Sequence, residues 1–385
     1  MKKNTINKKD YLSIKKLRVV NLATFGHNGV DWMHSLLDGH PDILIMPAFS
    51  FYRSLHRLRF RDEKFKNIKK ITFKEISKEI TKQFYFEKIY QTKRRKFIFS
   101  LKQKKEFEIS LYSYLIYSKN KKKNFEKNIF FGIHHAFCKI HKININNKKI
   151  IVIQEHVPWH SFKYEKTFNS KFIYIMRDPR AALAGAFVRF RKHFKKEMNP
   201  LQFDYSLFYW NYAISFYKSL IAKKTSKKMI VIKNEDMHNN LKKTQKNLCK
   251  FLKIDFNKTL LNSTFMKKKW FGESSYLQDN QEKDLIKSPH KSFYENKNIE
   301  KRWRNTLDKN EILIIEILYK FIFDKFHYLP DNKRNLKGIS FTYYYLFTNY
   351  IFENKNFLKT FKNIVRRFFV LFLPTKVTSF FNSFR

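Results

Sequence analysis

The sequence has few of the residues that mark several protein classes. Two of its 385 residues are cysteine, and glycine (7) and proline (8) are scarce. The two cysteines, Cys138 and Cys249, lie outside any CxxC pattern, which excludes a disulfide framework and indicates a reducing compartment. The low glycine and proline counts exclude collagen-like and other low-complexity architectures.

Acidic residues are also scarce. The chain carries 80 Lys and Arg against 32 Asp and Glu, a formal net charge of +48. A positive field of that size attracts nucleotides, acidic glycans, anionic lipids and nucleic acids. An A/T-rich coding sequence, which favours Lys, Asn, Ile and Phe together, explains the same charge without any partner.

Long apolar runs are missing as well. No run reaches the ~18–20 residues that a membrane-spanning helix needs. The Lys-rich start, residues 1–16, has no apolar core of a signal peptide and is predicted to be a basic N-terminal tail. These absences predict a cytoplasmic protein.

Apolar and aromatic side chains are abundant. Hydrophobic residues make up 43% of the chain and aromatic residues 18%, including 43 Phe and 21 Tyr. This apolar surface is enough to offset the entropy lost on ordering the chain. We therefore expect a folded protein with a substantial core.

Four short apolar segments are predicted to be β-strands that alternate with helices. They begin at Leu17, Ile150, Phe172 and Met229. This alternation predicts an α/β fold of three layers, a central parallel sheet flanked by helices. Ligands of such sheets collect at the carboxyl ends of the strands, so the loops at 25–29, 154–158 and 177–179 are expected to share one face.

The remaining segments lack this pattern. Residues 51–128 mix Lys, Arg and aromatics, and we predict a helical insertion or substrate lid there, inside a domain at 17–330. Residues 331–385 are predicted to be an aromatic and basic helical C-terminal extension. Its part at 340–385 fits either a peripheral anchor on the inner face of the membrane or an amphipathic helix pair that closes the core.

The first motif is a turn with two glycines between the first strand and the following helix. Its residues are Gly26, His27, Asn28, Gly29, Val30, Asp31 and Trp32. Such a turn lets backbone N–H groups approach an anion at the helix N-terminus. The turn lacks the Lys and Ser/Thr of a Walker A loop, which argues against an ATPase or GTPase. An ordinary tight turn is the alternative.

Two further motifs follow predicted strands. The sequence RDPR at 177–180 follows the strand ending at Met176, and an arginine guanidinium suits the geometry of phosphate oxygens. The sequence EHVP at 155–158 follows the strand starting at Ile150. A histidine there suits proton transfer, because its ordinary pKa is ~6.5. A surface arginine capping a turn and a structural loop histidine are the alternatives.

These motifs resemble, in the correct order, those of the sulfotransferase family over about residues 17–330. The turn is similar to the family's 5′-phosphosulfate loop, [KR]-S-G-T-T-[WL], and the following SLLDGHPDI (35–43) resembles the bacterial and carbohydrate-modifying branch. Further matches are NED at 234–236, FMKK at 265–268, WFGESS at 270–275 and RWR at 302–304. The resemblance implies a P-loop NTPase-like sulfotransferase fold, here with a helical insertion and a helical C-terminal tail.

The resemblance also implies a donor, 3′-phosphoadenosine 5′-phosphosulfate, and no metal ion. It assigns the 5′-phosphosulfate to Gly26, His27, Asn28, Gly29, Val30, Asp31 and Trp32. It assigns the 3′-phosphate to Arg177, with Gly185 at the position of a serine ligand. A basic loop containing Lys267 and Lys268 would cover that phosphate.

For catalysis the resemblance implies a general base and a source of positive charge. His156 would take the proton from the acceptor hydroxyl, and Glu155 is a rival base because other family branches use a glutamate. His27 stands at the basic position of the loop, where charge that develops on the leaving phosphate is stabilised.

Several residues depart from the family pattern. His27 replaces a permanently basic residue, Val30 and Asp31 replace two threonines, and Gly185 lacks the serine hydroxyl. A carboxylate facing a phosphate opposes binding by about 1 kcal/mol in water and by more in a dry pocket. Asp31 avoids this cost if it points away and caps the helix start.

Three functions therefore stay open. The first is a sulfotransferase acting on a hydroxyl of a glycan or lipid-linked sugar. The second is a sulfotransferase-fold protein with a changed donor or lost catalysis, and the third is a basic protein that binds polyanions or membrane surfaces. The sequence contains no nucleic-acid-binding motif, so we predict no specific nucleic-acid partner.

Overall fold

The computed structural model describes residues 6–23, 27–46, 50–52, 54–55, 71–82, 100–118, 124–155, 158–194, 225–266, 268–269, 295–332, 337–338, 340 and 342. Within these residues the chain forms a central parallel sheet, a small antiparallel sheet and twelve α-helices. This is the α/β architecture that the alternation of strands and helices predicts.

The central sheet has five strands, all parallel, and helices flank it. The strands are β1 (Arg18–Ala23), β2 (Ile43–Ile45), β3 (Ile150–Glu155), β4 (Lys171–Met176) and β5 (Met229–Lys233), in the spatial order β2-β3-β1-β4-β5. β3 is buried along its whole length and β4 at all but its first residue. Parallel strands covered on both faces have near-continuous apolar sequences, which explains why the sequence revealed them.

The register of the sheet is simple on the side of β2. Both β1 and β2 pair in parallel with β3, so that Val19 and Leu44 both lie opposite Ile151. Two short strands, β6 (Thr264–Phe265) and β7 (Lys268–Lys269), form the antiparallel sheet.

The helices connect and cover these strands. They are α1 (Lys8–Lys16), α2 (Val30–Leu37), α3 (Phe73–Ile80), α4 (Leu101–Ser118), α5 (Phe125–Ile140), α6 (Pro158–Phe168), α7 (Pro179–Phe194), α8 (Asn234–Asn239), α9 (Leu241–Leu252), α10 (Asn296–Arg304), α11 (Lys309–Leu318) and α12 (Lys320–Phe326). Three starts among the described helices carry a capping box, formed by Thr72 with Glu75 at α3, by Ser100 with Gln103 at α4 and by Asp308 with Glu311 at α11. Such a pair satisfies two backbone N–H groups that the first turn leaves open.

The chain divides into two compact units. The first comprises Met1–Ala23, Asp31–Ile173 and Gln245–Gly272, and the second comprises Thr24–Val30, Tyr174–Thr244 and Glu273–Arg385. The core of the first unit contains side chains of β1, β2 and β3 and of α1, α3, α4 and α5.

In the helical part of this core, aromatic rings pack against each other and one glycine allows two helices to approach closely. The rings of Tyr11 and Tyr114 lie 5.1 Å apart, and both side chains are buried. A β-carbon on Gly132 would lie 2.9 Å from side-chain carbons of Leu111 and Tyr114. The glycine therefore lets α4 and α5 pack at close range.

Hydrogen bonds of the His40 side chain stabilise the turn between α2 and β2. Its Nε2 lies 2.9 Å from the carbonyl oxygen of Asp255, and its Nδ1 accepts the backbone N–H of Asp42 at 3.1 Å. The ammonium of Lys148 donates to three carbonyl oxygens of the same turn. The SLLDGHPDI stretch is thus held together by contacts inside the first unit.

Arg180 organises the second unit, in which α10 and α11 pack against α7. The residue is 5% exposed, and its guanidinium is surrounded by three carboxylates and two aromatic rings. The carboxylates are those of Asp178, Glu316 and Asp331, and the rings are those of Trp303 and Phe323. Arg180 therefore joins the start of α7 to α10, α11 and α12.

Some predicted segments extend beyond the described residues. The insertion predicted at 51–128 contains α3, α4 and the start of α5. Its role as a lid stays a prediction. Residues 343–385, which hold most of the predicted C-terminal extension, lie outside the described part of the chain.

Candidate active site

Asn28 anchors the loop between β1 and α2. Its side chain is fully buried, and its Nδ2 donates to the carbonyl oxygen of Ile175 at 2.6 Å. Ile175 is the last residue but one of β4. The hydrogen bond therefore ties the loop to the carboxyl end of that strand, within the second unit.

Gly29 follows with a backbone that excludes a side chain. Its φ of +89° lies in the region that glycine favours, and a β-carbon on it would lie 1.9 Å from Nδ2 of Asn234. Asn234 is the first residue of α8. Position 29 thus needs glycine both for its conformation and for the close approach of α8.

Arg177 lies directly after β4 and contacts the same loop. Its Nη1 donates to the carbonyl oxygen of His27 at 3.0 Å. Its Nε is buried and has no hydrogen-bond partner in the part of the chain that the structure describes. Leaving a buried donor unpaired costs about 1–3 kcal/mol, so this atom favours a ligand that brings an oxygen.

Gly185, on α7, lies against the side chain of His27. A β-carbon on Gly185 would lie 3.6 Å from Cβ and 3.8 Å from Nδ1 of His27. These are ordinary van der Waals distances. The second unit therefore brings together three predicted site residues, His27, Arg177 and Gly185.

A half-buried carboxylate, that of Glu235, supports the backbone that carries Arg177. Oε1 of Glu235 accepts the N–H of Asp178 at 3.2 Å, and Oε2 accepts the hydroxyl of Tyr328 at 3.0 Å. Burial raises the pKa of Glu235, although the nearby charge of Arg177 opposes the rise. The sequence does not single out Tyr328, because no motif distinguishes it from the other tyrosines among the 21 in the chain.

The pKa of His238 is sensitive to the positive charges near Arg177. Burial, with the positive charges of Arg177 and Arg302, lowers the pKa of His238 to about 3. The imidazole is therefore neutral near pH 7. Burial is the main cause, and the charges of Arg177 and Arg302 add to it. The same two positive charges favour an anion nearby.

Asp31 is engaged within the first unit. Its Oδ1 accepts a hydrogen bond from Nε2 of Gln154 at 2.8 Å. Gln154 is buried on β3. The carboxylate that departs most from the family pattern thus has a side-chain partner of its own.

Glu155 ends β3 and is fully buried in the first unit. Its Oε1 accepts the hydroxyl of Ser50 and lies 3.7 Å from Nδ1 of His160. Its Oε2 accepts the hydroxyl of Tyr164 at 3.3 Å. Because both His160 and Tyr164 lie on α6, Glu155 holds that helix at the end of the strand.

A family model of the sulfotransferase domain matches residues 21–330. The chain belongs to the sulfotransferase domain family. The matched range is close to the range over which the sequence motifs resemble that family, and the membership confirms the resemblance.

Three solved sulfotransferase structures are similar to this family member. The domain of the Synechococcus PCC 7002 olefin synthase shares 13% identity over 86% of this chain and 95% of that chain, with a TM-score of 0.38. The domain of the curacin biosynthetic pathway shares 14% identity over 85% and 97%, with a TM-score of 0.37. STF9 from Mycobacterium avium shares 10% identity over 66% and 68%, also with a TM-score of 0.37.

Membership of the sulfotransferase family rests on the match to the family model, because TM-scores this low add nothing to it. No curated protein matches the chain significantly.

Four predicted residues of the sulfotransferase site cannot be placed by side chain. Gly26, His156 and Lys267 lie outside the described residues, and of Lys268 only the backbone in β7 is described. Their assigned roles stay predictions.

The described residues of the sulfotransferase chain also bear on metal binding and membrane insertion. Among them, no three His, Cys, Asp or Glu side chains are grouped to hold a metal ion. No helix in the described ranges has the length and apolar character needed to cross a membrane. Cys138 and Cys249 are both free and buried.

Proposed function

We propose that this family member transfers a sulfuryl group from 3′-phosphoadenosine 5′-phosphosulfate to a hydroxyl of a glycan or lipid-linked sugar. One observation carries the proposal, the hydrogen bond from Arg177 to the carbonyl oxygen of His27. It joins, inside one unit, the two segments that the family resemblance assigns to the two phosphate groups of the donor.

The residues present fit such a donor. Nε of Arg177 is buried without a partner in the described chain, and the charges of Arg177 and Arg302 make their surroundings positive. Asp31, the one carboxylate of the loop, is bound by Gln154. The loop is also held from two sides, by Asn28 and at Gly29, which lowers the ordering cost of binding a ligand.

The reaction needs positioning and one proton acceptor. The hydroxyl oxygen of the acceptor attacks sulfur, the bond from sulfur to the bridging oxygen of the 5′-phosphate breaks, and adenosine 3′,5′-bisphosphate leaves. Arg177 would hold the donor, and electrostatic stabilisation of the charge that develops on the leaving phosphate would come from the loop.

We assign the proton acceptor to His156 and a positioning role to Glu155. Both oxygens of Glu155 have partners in the first unit, and the side chain has no exposed surface. A carboxylate in that state holds α6 to the strand end, whereas the next residue along the chain is an imidazole that suits proton transfer near neutral pH.

The acceptor class rests on sequence. The SLLDGHPDI stretch resembles the carbohydrate-modifying branch of the family, and the net charge of +48 attracts acidic glycans and anionic lipid-linked intermediates. The proposal therefore places the reaction on a glycan or lipid-linked sugar.

Calorimetric titration with adenosine 3′,5′-bisphosphate tests the donor. We expect micromolar binding that Arg177→Ala reduces at least about tenfold, the loss expected for a hydrogen-bonded charged group. Arg18→Ala is the matched control, since Arg18 is an exposed arginine at the amino end of β1 and its loss changes the net charge equally. Absence of binding, or equal weakening by both variants, refutes the donor assignment.

Transfer of a labelled sulfuryl group tests the acceptor. The purified protein is incubated with labelled donor and separate pools of glycans, lipid-linked sugars, phenols and peptides. We expect the label to appear in a carbohydrate pool. If the label appears only in the phenol or peptide pool, the proposed acceptor class is wrong, although the donor assignment is unaffected.

A further inference from the structure

We propose that the imidazole of His27 binds the same phosphate group as Arg177, in the place of the side chain that position 185 lacks. The inference rests on the proposed function. It moves His27 from the 5′-phosphosulfate, where the loop resemblance puts it, to the 3′-phosphate.

The first support is the position of both ends of His27. Its carbonyl oxygen accepts the hydrogen bond from Arg177, and its Cβ and Nδ1 lie beside Gly185 on α7. Arg177 lies two residues before that helix, and Gly185 lies in its second turn. The backbone and the ring of His27 therefore both lie on the side of the loop that faces Arg177 and α7.

The second support is the backbone conformation of His27. Its φ is +56°, in the left-handed region that a non-glycine residue rarely adopts. A conformation of this kind persists when surrounding contacts fix it, and such residues cluster at binding sites. Here the contacts are those with Arg177 and α7, so the strained residue is held where the proposal needs it.

The third support is that a side chain at 185 and the ring of His27 would compete for space. A β-carbon on Gly185 would already be in van der Waals contact with His27, at 3.6 Å from its Cβ. A serine hydroxyl in the rotamer directed at His27 would meet the same ring. The departures from the family pattern at positions 27 and 185 are therefore linked. The phosphate-binding side chain is supplied by the loop, at His27, instead of by the helix, at position 185.

The chemistry of the pair suits a phosphate monoester. The guanidinium of Arg177 offers several N–H donors, and an imidazole offers one when neutral and two when protonated. A phosphate oxygen accepts from both, and hydrogen bonds to a charged acceptor are the strong ones. The nearby carboxylate of Glu235 already accepts hydrogen bonds from Tyr328 and from the backbone N–H of Asp178, so it has other donors than Arg177.

Two nucleotides that differ in one phosphate group provide the test. Calorimetry compares adenosine 3′,5′-bisphosphate with adenosine 5′-monophosphate, and the ratio of their dissociation constants measures the preference for the 3′-phosphate. We expect His27→Ala and His27→Gly to lower this preference at least about tenfold, with the affinity for the monophosphate little changed. Glycine suits a positive φ, so agreement of the two variants separates loss of the ring from backbone strain.

Two controls complete the design. His327→Ala changes an exposed histidine that also has φ +56°, and it should leave the preference unchanged. Gly185→Ser in the His27→Ala background should restore part of the preference, because the serine then has room. In the wild-type background the same substitution should lower the affinity for the bisphosphate.

The outcomes are distinguishable. Equal weakening of both nucleotides by the His27 variants would place the ring at the shared 5′ end and overturn this inference, while the proposed function stands. Binding of neither nucleotide by the wild-type protein overturns the proposed function and the inference together.

Discussion

The side-chain amide of Asn234 lies against the backbone of Gly29, in the space that a β-carbon on residue 29 would need. On the other side of this contact, Asn28 is bound to the end of β4. Protein contacts therefore hold Asn28 and Gly29 in place, which lowers the ordering cost of binding a ligand there.

Gly29→Ala should destabilise the loop and weaken binding of adenosine 3′,5′-bisphosphate. The left-handed conformation costs a non-glycine residue about 1–2 kcal/mol, and the overlap with Asn234 adds to that cost. Adding Asn234→Ala to the Gly29→Ala protein should relieve the overlap, but the cost of the left-handed backbone at residue 29 should remain. Thermal denaturation and calorimetry of the four chains of this double-mutant cycle measure both parts.

Gly185→Ala is the matched control for stability. Its β-carbon would lie at ordinary contact distance from His27, and alanine is favoured over glycine inside a helix by about 1 kcal/mol. We therefore expect the melting temperature to rise slightly in this variant. A Gly29→Ala protein as stable as wild type would show that Asn234 moves aside freely.

Arg180→Ala should cost far more stability than the loss of an exposed arginine. It leaves Asp178, Glu316 and Asp331 grouped without their common cation, and removing one partner of a buried ion pair costs about 3–5 kcal/mol. Urea denaturation of the folded chain measures the loss.

Arg304→Ala is the control for that experiment. Arg304 binds the same Asp331 and also Glu300, but its side chain is 43% exposed. Exposed pairs contribute about 0–1 kcal/mol. Similar losses from the two variants would contradict the central role of Arg180 in the second unit.

His134 should make the first unit sensitive to acid. The residue is fully buried on α5, its Nδ1 lies 2.8 Å from the carbonyl oxygen of Phe130, and burial lowers its pKa to about 4. The unfolded chain takes up the proton near pH ~6.5, whereas the folded chain does not until about pH 4. The stability from the neutral ring is therefore complete above pH ~6.5 and is lost as pH falls toward about 4.

The difference between the pKa values of His134 in the unfolded and folded chains corresponds to a loss of about 3 kcal/mol in the free energy of unfolding at low pH. His134→Leu should remove that part of the pH dependence, measured as the free energy of unfolding in urea between pH 7 and 4. His327→Leu is the control for an exposed histidine. An unchanged pH slope in His134→Leu would refute the assignment.

Sequence patterns predicted the central strands because these are apolar and buried. The apolar patterns place β3 and β4 close to their observed ends. They do not reveal β2, because its three residues, Ile43–Ile45, are too few to show a pattern. The sequence predicts a basic tail where the structure has α1, since lysines surround the two buried residues of that helix, Tyr11 and Ile14. Burial is therefore visible in sequence only where it spans enough neighbouring residues.

The candidate site divides in the same way. The motifs identified Arg177 and the loop, which the structure joins by a hydrogen bond. The direction of the His27 ring was not predictable, because it depends on the missing side chain of Gly185 on another element. The role of Tyr328 at Glu235 likewise arises from a long-range contact that no local pattern encodes.

Asn21→Val should stabilise the protein. Asn21 is fully buried on β1, opposite Ile153 of β3, and neither its Oδ1 nor its Nδ2 has a hydrogen-bond partner among the described residues. Two unpaired polar atoms cost about 1–3 kcal/mol or more, and valine is apolar, of similar size and suited to a strand. We expect the free energy of unfolding in urea to rise by about 1–3 kcal/mol.

Asn247→Val is the matched control, because Asn247 is exposed on α9 and surface substitutions usually change stability by less than about 0.5 kcal/mol. If Asn21→Val instead destabilises the protein, the buried amide has a partner in solution. An ordered water with hydrogen bonds to the amide would be such a partner, since buried waters pair otherwise unsatisfied polar groups.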